Sequence, residues 1–318
     1  MIPCTEFIPA YSELFNYLDD RYGHEEVKKL WAYLFAPTGD GIPLINYARK
    51  DGLQGCWNYW SETLKEESAS CTRYMNAKEG WIYSEMHHCP SKGRLLEKQE
   101  EIGITPYYDY CGHCDHYRAS LEEVGLSWIR NHIHTDRARC ATIIYDPAVF
   151  KGMITMNENV KKLEIRPSDH EYFHRDFHSS LNLCIRYVAE IHGEQVLHEY
   201  LKHYAKQVCK PMLDAITAGD ALEAMEKLIR RTYVEEKAEN ALFLSRSGST
   251  LSVQIAYCPA VLHLKQTGRI VSDWFQATTE VVMQTLASES GLVFSMDSYD
   301  PQTGAASYRF SDRIQVKV

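Results

Sequence analysis

The sequence predicts an α+β fold written twice, as two tandem copies of a helical segment followed by a strand–helix–strand–strand unit. Three observations predict it. Landmarks recur in one order at a nearly constant spacing: Gly23 and Gly193 stand 170 residues apart, Cys89-Pro90 and Cys258-Pro259 stand 169 apart, and Gly125-Leu126 and Gly291-Leu292 stand 166 apart. In the opening of each copy, apolar residues return at helical spacing, as at Leu14, Phe15, Leu18 and Tyr22. Later the period changes, and Leu251-Ser252-Val253-Gln254-Ile255 alternates like a half-buried strand. A length of 318 residues suits two domains. They are expected at 1–150, the copy with the CxxC pair, and at 151–318, the copy with a histidine-rich helix.

The elements follow in order. Tyr11 to Leu34 reads as the helical opening of the first copy, and a helical run from Cys114 to Glu123 follows Tyr107-Tyr108-Asp109-Tyr110. In the second copy, Asp169 to Ile191 and Glu194 to Cys209 read as helices broken at Gly193, and Ala221 to Leu242 as a third. After the strand Leu251 to Tyr257, a helix from Ser272 to Ser290 ends at Gly291, where a C-terminal glycine belongs. Leu292 to Met296 and Ala306 to Phe310 then flank the turn-rich Asp300-Pro301-Gln302-Thr303-Gly304 and read as a hairpin.

Composition narrows the function. Hydrophobic residues at 45% and charged residues at 24% describe a globular chain and exclude global disorder. With 43 acidic against 34 basic residues, the net charge of -9 repels phosphate backbones and anionic lipid, so neither nucleic acid nor a membrane is an expected partner. No apolar run reaches the roughly 18 residues that cross a bilayer, and Met1 to Phe15 lacks a basic signal-peptide flank. A cytoplasmic location is expected, and with it ten reduced cysteines rather than a disulfide framework. There is no phosphate loop, no GxGxxG after a strand and no GxSxG elbow, so no nucleotide cofactor is expected.

Chemistry is expected where the copies differ. Only the first carries Cys111-Gly112-His113-Cys114-Asp115-His116; only the second carries His170-Glu171-Tyr172-Phe173-His174-Arg175-Asp176-Phe177-His178. On a helix, His170, His174 and His178 fall within an arc of about 80° beside Glu171. Such a row suits a divalent ion (zinc, manganese or iron), and Glu171-x-x-His174 is a spacing found in carboxylate-bridged metal sites. The plainer reading is a set of hydrogen-bonded, half-buried histidines. Cys111-x-x-Cys114 fits half of a zinc site, a redox pair or two independent thiols, and a helix N-terminus would lower a thiol pKa. Cys89 and Cys258 each precede proline and fit packed thiols at a strand end, although His87 shares a strand face with Cys89 and the two would make a Cys/His nucleophile pair.

The order of a Gly-Glu helix junction, a Cys-Pro strand end, an acidic helix ending Gly-Leu and a final Arg-Ala-Arg-Cys or Ala-Ser-Tyr-Arg-Phe strand resembles the L-2-amino-thiazoline-4-carboxylic acid hydrolase-like family, once per copy. That resemblance implies hydrolytic opening of a small heterocycle. The later half of each copy also resembles the 4-vinyl reductase sensor domain, which implies small-molecule binding without chemistry. The expectation is a hydrolase or lyase for C–N or C=N bonds of a small molecule, metal- or His-assisted. It places His170, His174 and His178 of one copy opposite Cys89, Cys111 and Cys114 of the other. The alternatives are a small-molecule or metal-sensing module and a thiol-redox protein using Cys111 and Cys114.

Overall fold

The computed structural model describes residues 1–37, 43–216 and 219–312. In chain order, α1 (Phe7–Tyr22), α2 (His24–Leu34) and α3 (Leu44–Glu66) precede β1 (Ser70–Asn76) and β2 (Trp81–His88). Then come α4 (Pro90–Ile102), α5 (Tyr117–Glu122), β3 (Ser127–Asn131), β4 (Cys140–Tyr145) and β5 (Lys161–Ile165). The second passage runs through α6 (Phe177–His192), α7 (Glu194–Tyr204), α8 (Lys210–Asp214) and α9 (Ala221–Glu235) to β6 (Leu242–Ser247) and β7 (Thr250–Ile255). It ends with α10 (Pro259–Gln266), α11 (Ala277–Glu289), β8 (Leu292–Tyr299) and β9 (Ala306–Asp312). The fold is α+β, as expected. No helix among the described residues is long and apolar enough to cross a membrane.

The two passages trace one path. A hairpin, two helices and a second hairpin give the sheet order β3-β4-β2-β1-β5 in one case and β6-β7-β9-β8 in the other, with every neighbouring pair antiparallel. The shared landmarks have a physical basis. Gly23 and Gly193 adopt φ of 83° and 92°, a region open to glycine, and each starts the second helix of its copy. Cys89 and Cys258 each stand just before a proline that opens a helix, α4 or α10, where its missing N–H is not needed.

Five expectations are corrected. The repeated unit is strand–strand–helix–helix–strand–strand, because β6 begins at Leu242, the expected end of a helix, and runs through residues for which no element is expected. That helix, expected to Leu242, ends at Glu235, and Lys237 turns left-handed (φ 54°), as Ser68 (φ 50°) does 169 residues earlier. The helix expected from Ser272 begins at Ala277. The helix expected from Asp169 begins at Phe177, since Phe173 N–H bonds Glu66 O and Ser68 Oγ bonds His170 O, committing that stretch to tertiary contacts. Finally, the packing boundary does not fall at residue 150. The N-terminal unit comprises Leu18–Glu101 and Pro106–His174; the C-terminal unit comprises Met1–Tyr17, Ile102–Thr105 and Arg175–Val318. Strand β5 lies beyond residue 150 and pairs with β1, Cys71 opposite Ile165.

In the N-terminal unit the core forms where α3 and α5 cover the sheet, with Trp57, Met75, Ile82, Leu121, Trp128 and Ile144 buried together. Burying each such side chain stabilises by about 1.5–3 kcal/mol. Strand β7 of the C-terminal unit alternates as read, with Leu251, Val253 and Ile255 buried.

Candidate functional site

The N-terminal unit contains a cavity of about 130 Å³ between α3 and the sheet. Its floor is one rung of the sheet. Arg130 of β3 pairs with Thr142 of β4, Thr142 with Ser84 of β2, and Ser84 with Arg73 of β1, so these four side chains share one face. The flanking rungs are Trp128–Ile144–Ile82 and Cys140–Met86–Cys71. Trp60, Leu64 and Glu67 of α3 and its end close the chamber from above, and Tyr117 of α5 closes one side.

Arg73 is 1% exposed, an unusual place for a cation. Its Nη1 donates to Trp57 O at 2.9 Å and to Ser61 Oγ at 2.6 Å, and its Nε to Ser84 Oγ at 3.2 Å. The guanidinium also lies 4.7 Å from the Trp57 ring centre. Among the described residues it has no carboxylate partner, and burial lowers its pKa to about 10, which leaves it charged at neutral pH. Arg130, by contrast, is paired with Asp115 at 3.2 Å. Burial raises the pKa of Glu67, with His174 and His113 partly opposing that shift.

The thiols of this unit are held neutral. Cys89, Cys111, Cys114 and Cys140 line a second cavity of about 50 Å³ that shares walls with the first. They are free thiols, and burial pushes Cys111 up to about 11 and Cys140 up to about 12. The expected helix N-terminus that would lower the pKa of the CxxC pair is a 3-10 turn over Tyr110–His116, and desolvation prevails there. His113 is buried and its pKa is lowered to about 4 by burial, so it is neutral. Its Nδ1 donates to Tyr110 O, which leaves Nε2 to accept from the Cys114 thiol at 3.4 Å. An imidazole whose pKa is lowered to about 4 is a weak base for a thiol whose own pKa burial raises, so Cys114 is a poorly activated nucleophile. In the folded protein, iodoacetamide at neutral pH is therefore expected to alkylate Cys111 and Cys114 at least about tenfold more slowly than in urea. Equal rates, read by peptide mass, would show instead that these thiols are reactive.

The remaining candidates separate. His87 is the extra residue of a β-bulge, because Ser70 pairs with His88 and Cys71 with Met86. Its ring bonds Thr72 Oγ1 at 2.8 Å, while Cys89 Sγ accepts the Lys92 N–H, so no Cys/His pair forms there. Glu171 is exposed. The three-histidine stripe does not form: His170 and His174 precede α6, and His174 pairs with Glu66 at 2.6 Å within the N-terminal unit. His170 and His174 thus belong to the same unit as Cys89, Cys111 and Cys114.

His178 belongs to the C-terminal unit, 1% exposed on the first turn of α6, where its Nε2 meets Glu236 Oε2 at 3.0 Å. Glu236 Oε1 accepts the Cys4 N–H at 2.5 Å. Cys4, His178 and Glu236 form a buried group that could hold a metal ion. Arg73, Glu67, Cys4 and Glu236 were not candidates from the sequence. Arg73 had left one signal, a charge on the same strand face as the apolar Cys71 and Met75. Glu67 and Glu236 had left another, standing 169 residues apart at the repeat spacing. No family model, no curated protein and no solved structure matches this chain.

Proposed function

We propose that this protein binds a small organic anion, a compact carboxylate with a planar apolar body, in the chamber of the N-terminal unit. The observation that carries this reading is Arg73, a buried guanidinium on the floor of a cavity, bonded to a carbonyl and two hydroxyls and, among the described residues, paired with no carboxylate, while Glu67 in the roof is held toward its neutral form by burial. An uncompensated buried charge is costly, and an anionic ligand supplies the missing partner. Ser84 and Thr142 offer hydroxyls beside it, and Trp60, Trp128 and Tyr117 offer aromatic faces for the body of the ligand. The volume suits about five to eight non-hydrogen atoms, since a cavity near this size holds a benzene ring.

The reading sides with binding rather than hydrolysis. The family resemblance implies hydrolysis of a thiazoline carboxylate, and such a substrate fits the chamber's charge and shape. Yet burial raises the pKa of the thiols around it and lowers that of His113 to about 4, so the pair that Cys114 and His113 make is a weak one for attack on a C–N or C=N bond. The reading leaves any divalent ion, zinc, manganese or iron, to the C-terminal unit.

The test is a panel of small aromatic and heterocyclic carboxylates against their amides, followed by quenching of Trp60 and Trp128 fluorescence and by calorimetry. At least one acid is expected to bind, and its amide about tenfold or more weakly. Arg73→Met should weaken the acid by about 1.5–3 kcal/mol, ten- to a hundredfold, and leave the amide unchanged. Acids and amides binding alike, no acid binding at millimolar concentration, or chloride competing as well as any acid would overturn the proposal.

A further inference from the structure

We infer that the C-terminal unit holds one zinc ion between Cys4, His178 and Glu236, a clasp joining the segment before α1 to the start of α6 and the end of α9. The three residues are far apart in sequence, yet one donor atom from each lies within 4.8 Å of the others and all three are buried. Nothing local brings them together: Cys4 opens a 3-10 turn, His178 is on the first turn of α6, and Glu236 follows α9.

A second observation points to a ligand. His178 is 1% exposed and its Nε2 is taken by Glu236, but its Nδ1 is buried with no hydrogen-bond partner. Leaving such an atom unpaired costs about 1–3 kcal/mol, which a bound ion would remove directly or by reorienting the ring. Charge supports the same ion. With it, the thiol gives up its proton to solvent on binding, and one thiolate and one carboxylate neutralise a doubly charged cation, so a neutral set replaces a buried charge. Arg175, which favours the thiolate, His263, whose ring centre is 6.3 Å from that of His178, and the Met1 ammonium, Cys258 and Tyr233, which interact with Glu236, are further ionisable groups around the cluster.

The donor set selects the metal. Sulfur with imidazole disfavours magnesium, calcium and manganese, and a sulfur, nitrogen and oxygen triad is a zinc set. Three protein ligands leave a fourth position. Glu236 also lines a cavity of about 70 Å³, room enough for a water to fill it. Among the described residues the repeat makes no second such group. The equivalent carboxylate of the N-terminal unit, Glu67, interacts with His174, His113, Glu66 and the Cys114 thiol, but these donors do not converge as Cys4, His178 and Glu236 do. The inference stands apart from ligand binding in the other unit and survives the failure of that reading.

Metal analysis of the full chain purified without chelator, with cobalt exchanged in as a spectroscopic probe, tests the site. One zinc per chain is expected, and the cobalt form should show a sulfur-to-cobalt charge-transfer band in the near ultraviolet. Cys4→Ala removes a small buried group and should abolish that band; His178→Gln should lower zinc affinity by more than about a hundredfold. The double variant Cys111→Ala/Cys114→Ala should keep both metal and band. Circular dichroism verifies folding, and chelation followed by zinc return to the wild-type chain repeats the test without mutation. A folded wild-type chain that takes up neither metal, a cobalt spectrum lacking the sulfur band, or metal that leaves with Cys111 and Cys114 would overturn the site.

Discussion

Acidification from pH about 7.5 to about 4.5 is expected to remove about 2.5 kcal/mol of stability from the N-terminal unit through His113 alone. The sign follows from where the proton prefers to be. In the unfolded chain the imidazole titrates at its model value of 6.5, whereas in the fold burial lowers it to about 4. The folded state keeps His113 neutral because burial penalises the charged ring, and that cost outweighs the hydrogen bond from Nδ1 to Tyr110 O, which by itself favours the protonated form. Below the unfolded pKa the unfolded chain binds the proton first and gains population. The loss therefore begins near pH 6.5 and levels off near pH 4, with a full extent of about 3 kcal/mol. Neighbouring carboxylates titrate over part of the same range, so the wild-type curve alone does not isolate the effect. Urea midpoints measured across this range should fall less steeply in His113→Gln, which keeps an N–H for the Tyr110 carbonyl and has no proton to take up. Parallel curves for the two proteins would show that His113 is not held neutral.

The same residue marks what a sequence can and cannot state. His113 was visible as part of Cys111-x-x-Cys114, but its chemistry depends on burial, which no spacing encodes. The repeat was legible because its landmarks are backbone requirements: a left-handed glycine at Gly23 and Gly193, a helix-opening proline after Cys89 and Cys258. The β7 alternation and the β8–β9 hairpin were legible for the same local reason, period and turn chemistry. The stretch from His170 to Asp176 misled because its helical spacing is genuine in one dimension, while Glu66 O and Ser68 Oγ claim its backbone in three. Strand β6 was hidden because the left-handed residue that ends α9 is Lys237, a type that gives no turn signal. The chamber's polar rung needs the register of four strands to assemble, so Arg73, Ser84, Thr142 and Arg130 looked unrelated. Cys4 and Glu236 meet only through the tertiary fold.

Gly304→Ala is expected to destabilise the C-terminal unit by about 2–4 kcal/mol, while the mirror change Ala138→Gly in the N-terminal unit should move stability by less than about 0.5 kcal/mol. The two positions are 166 residues apart and do one job, a left-handed residue just before the last strand of each copy's second hairpin, at φ of 67° and 55°. Each adjoins the carbonyl that binds the cysteine before proline: Cys258 N–H bonds Thr303 O, and Cys89 N–H bonds Ala138 O. Their surroundings differ. A Cβ on Gly304 would stand 2.3 Å from Cys258 Cβ and 3.0 Å from Val261, neither of them the end of a flexible chain. Left-handed strain costs about 1–2 kcal/mol, and forcing a methyl into this contact about 1–3 more. At Ala138 the methyl is already accommodated and 1% exposed. Replacing it with glycine relieves about 1–2 kcal/mol of strain but gives up about 0.8 kcal/mol of burial and a similar amount of chain entropy, so the terms nearly cancel. Urea unfolding followed by circular dichroism checks both. If Gly304→Ala costs no more than Ala138→Gly, Cys258 is not packed against that turn, and the tightness of the Cys-Pro corner is not what requires glycine in one copy and admits alanine in the other.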